Sequence, residues 1–142
     1  MIFEQEKIRK EIEYEIDNLI RGCEELNLEK AFKVYLKSAN FFMIAADGYY
    51  YDYQTFYNNN KNYFDILSKF ELTTIKRDLK ILSNDLVIYS WIYKVIATLK
   101  TGEQDILNSA GATFLFKKIN DVWTVINYHE SSAPPTRKSL NV

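Results

Sequence analysis

The sequence contains little of what several common functions require. Its 142 residues include one cysteine, Cys23, one histidine, His129, four glycines and two prolines. A single cysteine excludes an internal disulfide and a cysteine-rich metal site, and we expect Cys23 to be a small apolar residue on a helix rather than a reactive thiol. Four glycines form no phosphate-binding loop, and one histidine forms no histidine-rich metal site. We therefore predict neither a metal nor another cofactor.

The chain also lacks an excess of charge of either sign. Eighteen Lys and Arg residues against 19 Asp and Glu residues give a formal net charge of −1, so no basic stripe predicts nucleic-acid binding. No run of about 18 apolar residues predicts a membrane span, and the charged start of the sequence does not resemble a signal peptide. We expect a soluble, cytoplasmic protein without a nucleic-acid or membrane partner.

Aromatic residues, in contrast, are abundant. Eleven Tyr and nine Phe raise the aromatic share to 15%, and such rings belong in a broad core, a pocket wall or a subunit interface. A chain of this length can fold around one hydrophobic core without crosslinks. Because no linker or repeat interrupts it, we predict one domain over residues 1–135. Two prolines then stop the sheet, and we expect a flexible tail over residues 136–142.

The first half of the sequence has helical periodicity. Apolar residues recur at every third or fourth position over residues 4–25, which predicts an amphipathic helix. Asn27 is suited to cap a second helix with an apolar face over residues 28–36, and Thr55 is suited to cap a third helix. Between the second and third helices, an Asp-Gly turn signal predicts a small hairpin over residues 41–51.

From about residue 70 the pattern changes to long strands separated by turns. We predict strands over residues 72–82, 86–99, 105–118 and 122–131. In the second of these strands the odd positions from Val87 to Ala97 are all apolar or aromatic, and the even positions are mixed but far from polar. Helices followed by antiparallel strands predict an α+β domain with helices on one sheet face. No helix remains to cover the second face, so we expect a homodimer.

The last strands carry a motif that resembles a known superfamily. Residues 111–131 suggest a closing hairpin, in which a charged turn precedes a tryptophan and an apolar strand leads to His-x-Ser and to Ala-Pro. The motif residues are Trp123, His129, Ser131, Ala133 and Pro134. This pattern resembles the nuclear transport factor 2-like superfamily, especially its SnoaL-like branch and the association domain of calcium/calmodulin-dependent protein kinase. The resemblance implies a cone-shaped, cystatin-like roll: three N-terminal helices on a curved, mixed, mainly antiparallel sheet with a pocket in its concavity.

The resemblance implies a fold but no reaction, because the superfamily includes isomerases, dehydratases, cyclases, epoxide hydrolases and scaffolds. A steroid-isomerase-like mechanism needs a carboxylate in the first strand, but no acid stands near Met43, and Leu19 occupies the position of that enzyme's tyrosine. The pocket arginines of the kinase association domain match Tyr93, Phe114 and Glu130 without gaps. None of these three is basic, so the resemblance does not extend to binding of small anions.

The aromatic positions on the long strands predict the wall of a pocket. The predicted lining residues are Tyr89, Trp91, Tyr93, Phe114, Phe116, Ile126, Tyr128 and Glu130. Such a wall suits a small apolar or aromatic ligand that carries a hydrogen-bond donor. The alternative is that these rings simply fill the cone, because a pocket wall and a core wall look alike in a sequence.

Three functions remain open at this stage. The first is a dimeric cone protein that binds a small apolar ligand without changing it. The second is an isomerase, dehydratase or cyclase in which Glu130 is a general base and Tyr93 a donor, since burial among rings raises the pKa of a carboxyl group. His129 is a further candidate for proton transfer, although structural hydrogen bonds at the sheet edge or a subunit interface are the favoured explanation of His129 and Ser131. The third is an oligomerisation scaffold with a filled cone.

Overall fold

Helices precede the long strands, as the sequence pattern predicts. A computed structural model describes residues 2–139, without the side chains of residues 2 and 3. Within this range the helices are α1 (Ile2–Glu24), α2 (Leu28–Phe32) and α3 (Tyr53–Asp65). The strands are β1 (Phe42–Ile44), β2 (Tyr50–Asp52), β3 (Leu67–Ser83), β4 (Leu86–Leu99), β5 (Gln104–Ile119), β6 (Val122–Ser132) and β7 (Thr136–Lys138). None of the described helices is long and apolar enough to span a membrane.

The strands form one open, mixed sheet in the order β2-β1-β6-β5-β4-β3, and β7 adds to β5. β1 pairs with β6 in parallel, whereas the other pairs are antiparallel. The helices cover one face, where Ile12 and Ile16 of the apolar stripe of α1 are fully buried. The predicted α+β class, with helices on a mixed, mainly antiparallel sheet, is therefore confirmed.

The helix caps agree with the sequence only in part. The Asn27 side chain accepts a hydrogen bond from the Lys30 backbone nitrogen at 3.1 Å, which confirms this N-cap. The N-cap of α3 is Asp52, whose carboxylate accepts a bond from the Thr55 nitrogen at 2.8 Å. The expectation that Thr55 caps this helix is therefore wrong, because an aspartate three residues earlier supplies the acceptor.

The second helix is also shorter than predicted and ends at Phe32. Beyond it the chain pairs with β6: the nitrogen of Val125 donates to the oxygen of Val34 at 2.8 Å, and the nitrogen of Leu36 donates to the oxygen of Val125 at 2.9 Å. These bonds satisfy backbone groups that a longer helix would have satisfied internally.

Part of the segment expected to be flexible belongs to the sheet. The pairing of β5 with β6 ends at Ala110, so β6 leaves the backbone groups of the first β5 residues unpaired on that side. β7 pairs with β5 there, over residues 104–106. Of the segment expected to be flexible, Thr136–Lys138 form β7. Residues 140–142 lie outside the described residues.

The tryptophan of the closing motif joins α1 to the hairpin of β5 and β6. Trp123 is buried, and its indole nitrogen donates to the Glu11 carboxylate at 2.6 Å. The ammonium of Lys118 lies 5.6 Å from the centre of the indole ring and 3.6 Å from the same carboxylate. One side chain thus combines apolar burial, a charge-assisted hydrogen bond and a cation–π contact.

The approach of α2 to α1 leads to a first prediction. A Cβ atom on Gly22 would lie 2.4 Å from the backbone nitrogen of Ala31. Helix propensity alone favours Gly22→Ala by about 1 kcal/mol, but the clash is with backbone and forces α2 to move. We expect Gly22→Ala to lower the free energy of unfolding by about 2 kcal/mol, measured by urea denaturation.

Gly111→Ala is the matched control. A Cβ atom there would meet the Cδ1 atom of Ile92 at 3.5 Å, an ordinary contact, so its free energy of unfolding should stay within about 0.5 kcal/mol of the parent value. A Gly22→Ala protein as stable as the parent would contradict the close helix packing.

Candidate functional site

The helices and the inner face of the sheet enclose a cavity of about 340 Å³. This volume lies in the range of pockets that hold small molecules. Its wall is mainly aromatic and includes Tyr35, Phe56, Trp91, Tyr93, Phe114 and Tyr128. The cone is therefore not completely filled by its own side chains.

A bulge in β5 determines which of its residues face the cavity. Tyr93 of β4 pairs with Ala110, but Val95, two residues later, pairs with Leu107, three residues away on β5. The extra residue shifts the alternation. As a result residues with odd numbers, Asp105 and Leu107, line the cavity before the bulge. After the bulge a residue with an even number, Ala110, is buried on the same face.

A second bulge has the same effect in β6. The register with β5 shifts at Ile126, which has no partner of its own. Val125 before the bulge and Tyr128 after it are both buried, and Glu130 lines the cavity. Strict alternation would have placed Ile126 with Tyr128 and Glu130, and Val125 on the opposite face. Because of the bulge, Val125 is buried and Ile126 lies outside the cavity lining, so both of these expectations are wrong.

Ring contacts hold the wall of the cavity in place. Phe114 and Tyr128 are direct neighbours on adjacent strands, and their rings stack at 4.6 Å with an angle of 11° between their planes. Trp91 and Tyr93 lie two residues apart on β4, with ring centres separated by 4.4 Å. The indole nitrogen of Trp91 donates to the Thr74 hydroxyl at 3.1 Å. These pairs give the wall a fixed shape before any ligand arrives.

The chemistry of the cavity centres on Glu130. Burial, and to a smaller degree the negative charge of Asp47, raise the pKa of its carboxyl group to about 7. The Tyr128 hydroxyl donates a hydrogen bond to it, and the register places the short side chain of Ala112 between Glu130 and Trp91. Near neutral pH such a group exists in both protonation states, which is the property a proton donor or acceptor needs.

The neighbouring titratable groups stay neutral. Burial is the main factor that raises the pKa of Tyr35 and of Tyr93 well above the usual range, and the Glu130 charge adds to it. Burial also raises the pKa of the Cys23 thiol to about 12. Cys23 lines the cavity, but at physiological pH it remains a thiol without the reactivity of a thiolate.

A hydrogen-bonded cluster closes one side of the cavity. Arg137 of β7 donates through Nε and Nη2 to the two oxygens of Asp105, at 2.7 and 3.0 Å, and the Tyr63 hydroxyl donates to Asp105 at 2.8 Å. The bonds from Arg137 are the main reason why the pKa of Asp105 is lowered. Sequence reasoning missed all three residues, because Asp105 faces inward only through the β5 bulge.

The predicted pocket residues divide into two groups. Those that line the cavity are Trp91, Tyr93, Phe114, Tyr128 and Glu130. Tyr89 and Phe116 lie in the packed core at 1% and 0% exposure, and Ile126 lies at the bulge outside the lining. His129 is exposed and pairs with Ile44 and Thr113. Because it follows the bulge on an odd position, it points away from the cavity that Glu130 lines.

The order of elements and the closing hairpin are similar to those of a known family. Residues 8–134 match the calcium/calmodulin dependent protein kinase II association domain. The chain belongs to this family. No curated protein sequence matches it.

Solved structures confirm the nuclear transport factor 2-like fold of this association domain. A proposed scytalone dehydratase from Novosphingobium aromaticivorans is similar with a TM-score of 0.84 and 9% identity, over 100% of this chain and 95% of that one. A nuclear transport factor 2-like superfamily protein from Salmonella enterica has a TM-score of 0.78 and 12% identity, over 96% and 97%. A proposed kinase association domain from Xanthomonas campestris has a TM-score of 0.69 and 19% identity, over 84% and 83%. At these identities the likeness shows the fold alone.

The three positions matched to pocket arginines of the kinase association domain all lie in the cavity of this association domain. They are Tyr93, Phe114 and Glu130. Two rings and an acid occupy these positions in this chain.

The raised pKa of Glu130 predicts a specific pH dependence of stability. Between pH 4.5 and about 7 the unfolded chain loses the Glu130 proton while the folded protein keeps it, so this group favours unfolding increasingly as the pH rises and by a constant amount above about pH 7. Glu130→Gln removes the effect. We expect the stability of Glu130→Gln relative to the parent to rise by about 3 kcal/mol between pH 4.5 and pH 8, measured by urea denaturation.

Asp47→Asn is the control, since it removes an exposed negative charge but leaves the half-buried carboxyl group of Glu130. Its stability relative to the parent should change much less over the same range. A difference between Glu130→Gln and the parent that does not depend on pH would show that Glu130 titrates normally.

Proposed function

We propose that this association domain binds a small, mainly apolar or aromatic molecule in its cavity without changing it covalently, and that it does so as a homodimer. The observation that carries the proposal is a preformed cavity of about 340 Å³ whose wall consists largely of rings. Transfer of apolar surface from water into such a cavity is worth about 25 cal/mol per Å². The stacked pairs also limit the entropy lost on binding.

The polar groups of the cavity support the same assignment. Glu130 and the hydroxyl of Tyr93 lie within a mainly apolar wall, and a few polar groups of this kind orient a ligand. Asp105 is occupied by Arg137 and Tyr63. The ligand therefore meets one available carboxyl group among aromatic rings.

An acid–base enzyme of the isomerase, dehydratase or cyclase type is the second candidate. Its specific support is the pKa of Glu130, which burial raises to about 7, together with the neutral hydroxyl of Tyr93 on the same cavity. In such an enzyme Glu130 would take a proton from the substrate and Tyr93 would stabilise the developing negative charge. The two candidates differ in whether the bound molecule is recovered unchanged.

The outer face of the sheet supports the dimer. Ile92 is 37% exposed on β4, and Ile88, Ile96 and Leu115 are half-buried on the same face. The family is named for association. A second copy of the chain, applied to this face, would remove these aliphatic side chains from water.

The ligand proposal is tested by filling the cavity. Leu107 lines it and is only half-buried, so Leu107→Trp can place a large ring there without disrupting the core. We expect 2-methylnaphthalene to bind the parent protein. Its affinity for Leu107→Trp should be at least about tenfold lower, because the new ring occupies the same space. Isothermal titration calorimetry measures both affinities.

Ile75→Trp is the matched control, since Ile75 is 56% exposed on β3 and away from the cavity. Its affinity for 2-methylnaphthalene should equal that of the parent. Binding that survives in Leu107→Trp would contradict the cavity as the binding site, and chemical conversion of a bound molecule would favour the enzyme.

The dimer is tested by a charge on the outer face. We expect Ile92→Glu to convert the dimer into a folded monomer, because a carboxylate buried between two copies loses its hydration. Native mass spectrometry and sedimentation velocity measure the change. Asn59→Glu, on the exposed surface of α3, should leave the dimer intact. A monomeric parent protein, or a dimer that survives Ile92→Glu, would contradict the interface.

A further inference from the structure

The charged residues that line the cavity are both acids. Of the described residues that line it, none is Lys, Arg or His, and two are acids, Asp105 and Glu130. Arg137 binds both oxygens of Asp105, so that charge is already balanced. A molecule that enters the cavity therefore encounters one acid whose charge is not balanced.

Glu130 lacks a cationic partner among the residues that the structure describes. Its hydrogen bond comes from the Tyr128 hydroxyl, a neutral donor. A buried carboxylate without a cation is costly, and the cost falls when a positive charge comes close to it. The ligand is the one component of the complex that can supply this charge inside the cavity.

The rings of the wall add a second attraction for a cation. Trp91 and Tyr93 lie on β4, and Phe114 lies on the next strand. The faces of such rings attract an ammonium group, tryptophan most strongly, and the attraction is larger when the cation is removed from water. An anion would be repelled by the Glu130 carboxylate.

We propose that the cavity selects a primary ammonium group carried on an apolar or aromatic body, with the ammonium bound to Glu130 and the body against the rings. This inference rests on the proposed binding function and specifies its ligand class. Pairing with Glu130 would distinguish amines from neutral and anionic molecules of the same shape. The apolar wall alone would not distinguish them.

The pairing also links binding to pH. Glu130 must be ionised to pair with the ammonium, so affinity should rise with pH up to about 7, where its carboxyl group titrates, and then level off while the amine remains protonated. The other groups that interact with the Glu130 charge do not titrate over this range: Tyr35, Tyr93 and Cys23 are kept neutral by burial. Asp47, in the turn between β1 and β2, contributes a negative charge.

Three probes of one shape test the selection: 2-naphthylmethylamine, 2-ethylnaphthalene and 2-naphthoate. Calorimetry at about pH 7.5 should give the amine at least about tenfold higher affinity than the neutral probe, the size expected of one charge-assisted hydrogen bond. The carboxylate should bind most weakly. The preference for the amine should disappear in Glu130→Gln, which keeps the shape of the side chain.

Asp47→Asn is the matched control for charge. It removes one negative charge outside the cavity lining and retains an oxygen for the turn bond from the Tyr49 nitrogen, so the amine preference should change by less than about twofold. A similar loss in both variants would show long-range attraction instead of pairing with Glu130 and would overturn the inference.

The outcomes separate this inference from the function on which it rests. Equal binding of the amine and the neutral probe, or an amine preference that persists in Glu130→Gln, overturns the inference and leaves the binding function intact. Failure of all three probes to bind a folded parent protein overturns both. Weaker binding of the amine at pH 5.5 than at pH 7.5, without such a change for the neutral probe, supports the pairing.

Discussion

The side chains of β4 alternate strictly between the two faces of the sheet, and the core and the cavity both depend on this alternation. Odd positions from Val87 to Leu99 are buried, and even positions are half-buried or exposed. In the neighbouring strands β5 and β6 the alternation is interrupted. Bulges near Ala110 in β5 and at Ile126 in β6 shift the alternation, so that residues on both sides of each bulge face inward. The bulges thus place Asp105 on the same face as Ala110, and Glu130 on the same face as Val125.

A carboxyl group in such a place must keep its proton, find a cation or reach water. Arg137 is the cation that pairs with Asp105, from outside the cavity lining, and its two hydrogen bonds connect β7 to β5. Glu130 has a tyrosine hydroxyl instead and keeps its proton up to about pH 7. The expected pH dependence of stability, the proposed choice of ligand and the proposed proton transfer therefore all rest on this one group. Binding protein and enzyme differ here only in whether the ligand has a proton that Glu130 can remove.

The sequence was sufficient for the fold because the signals were regular. The apolar stripe of α1, the Asn27 cap, the turns and the alternation from Val87 to Ala97 all predict the observed class, and β4 has the predicted bounds. The site was predicted in part, because an aromatic face indicates a wall without showing where space remains. Tyr89 and Phe116 lie in the packed core, while the Asp105 cluster was missed. Bulges leave no clear mark in one sequence, so Ile126 was placed on the wrong side.

The most direct test of this account is a titration of the Glu130 carboxyl group in the folded, ligand-free protein. Carbon-13 NMR of protein labelled at the glutamate side-chain carboxyl follows the signal from pH 3 to 9, and Glu130→Gln identifies it by its disappearance. We expect a midpoint near pH 7. A midpoint near 4.5, the ordinary value of a glutamate, would show that water or a cation reaches the group freely. The cavity would then lack the buried acid on which the proposed ligand selection depends.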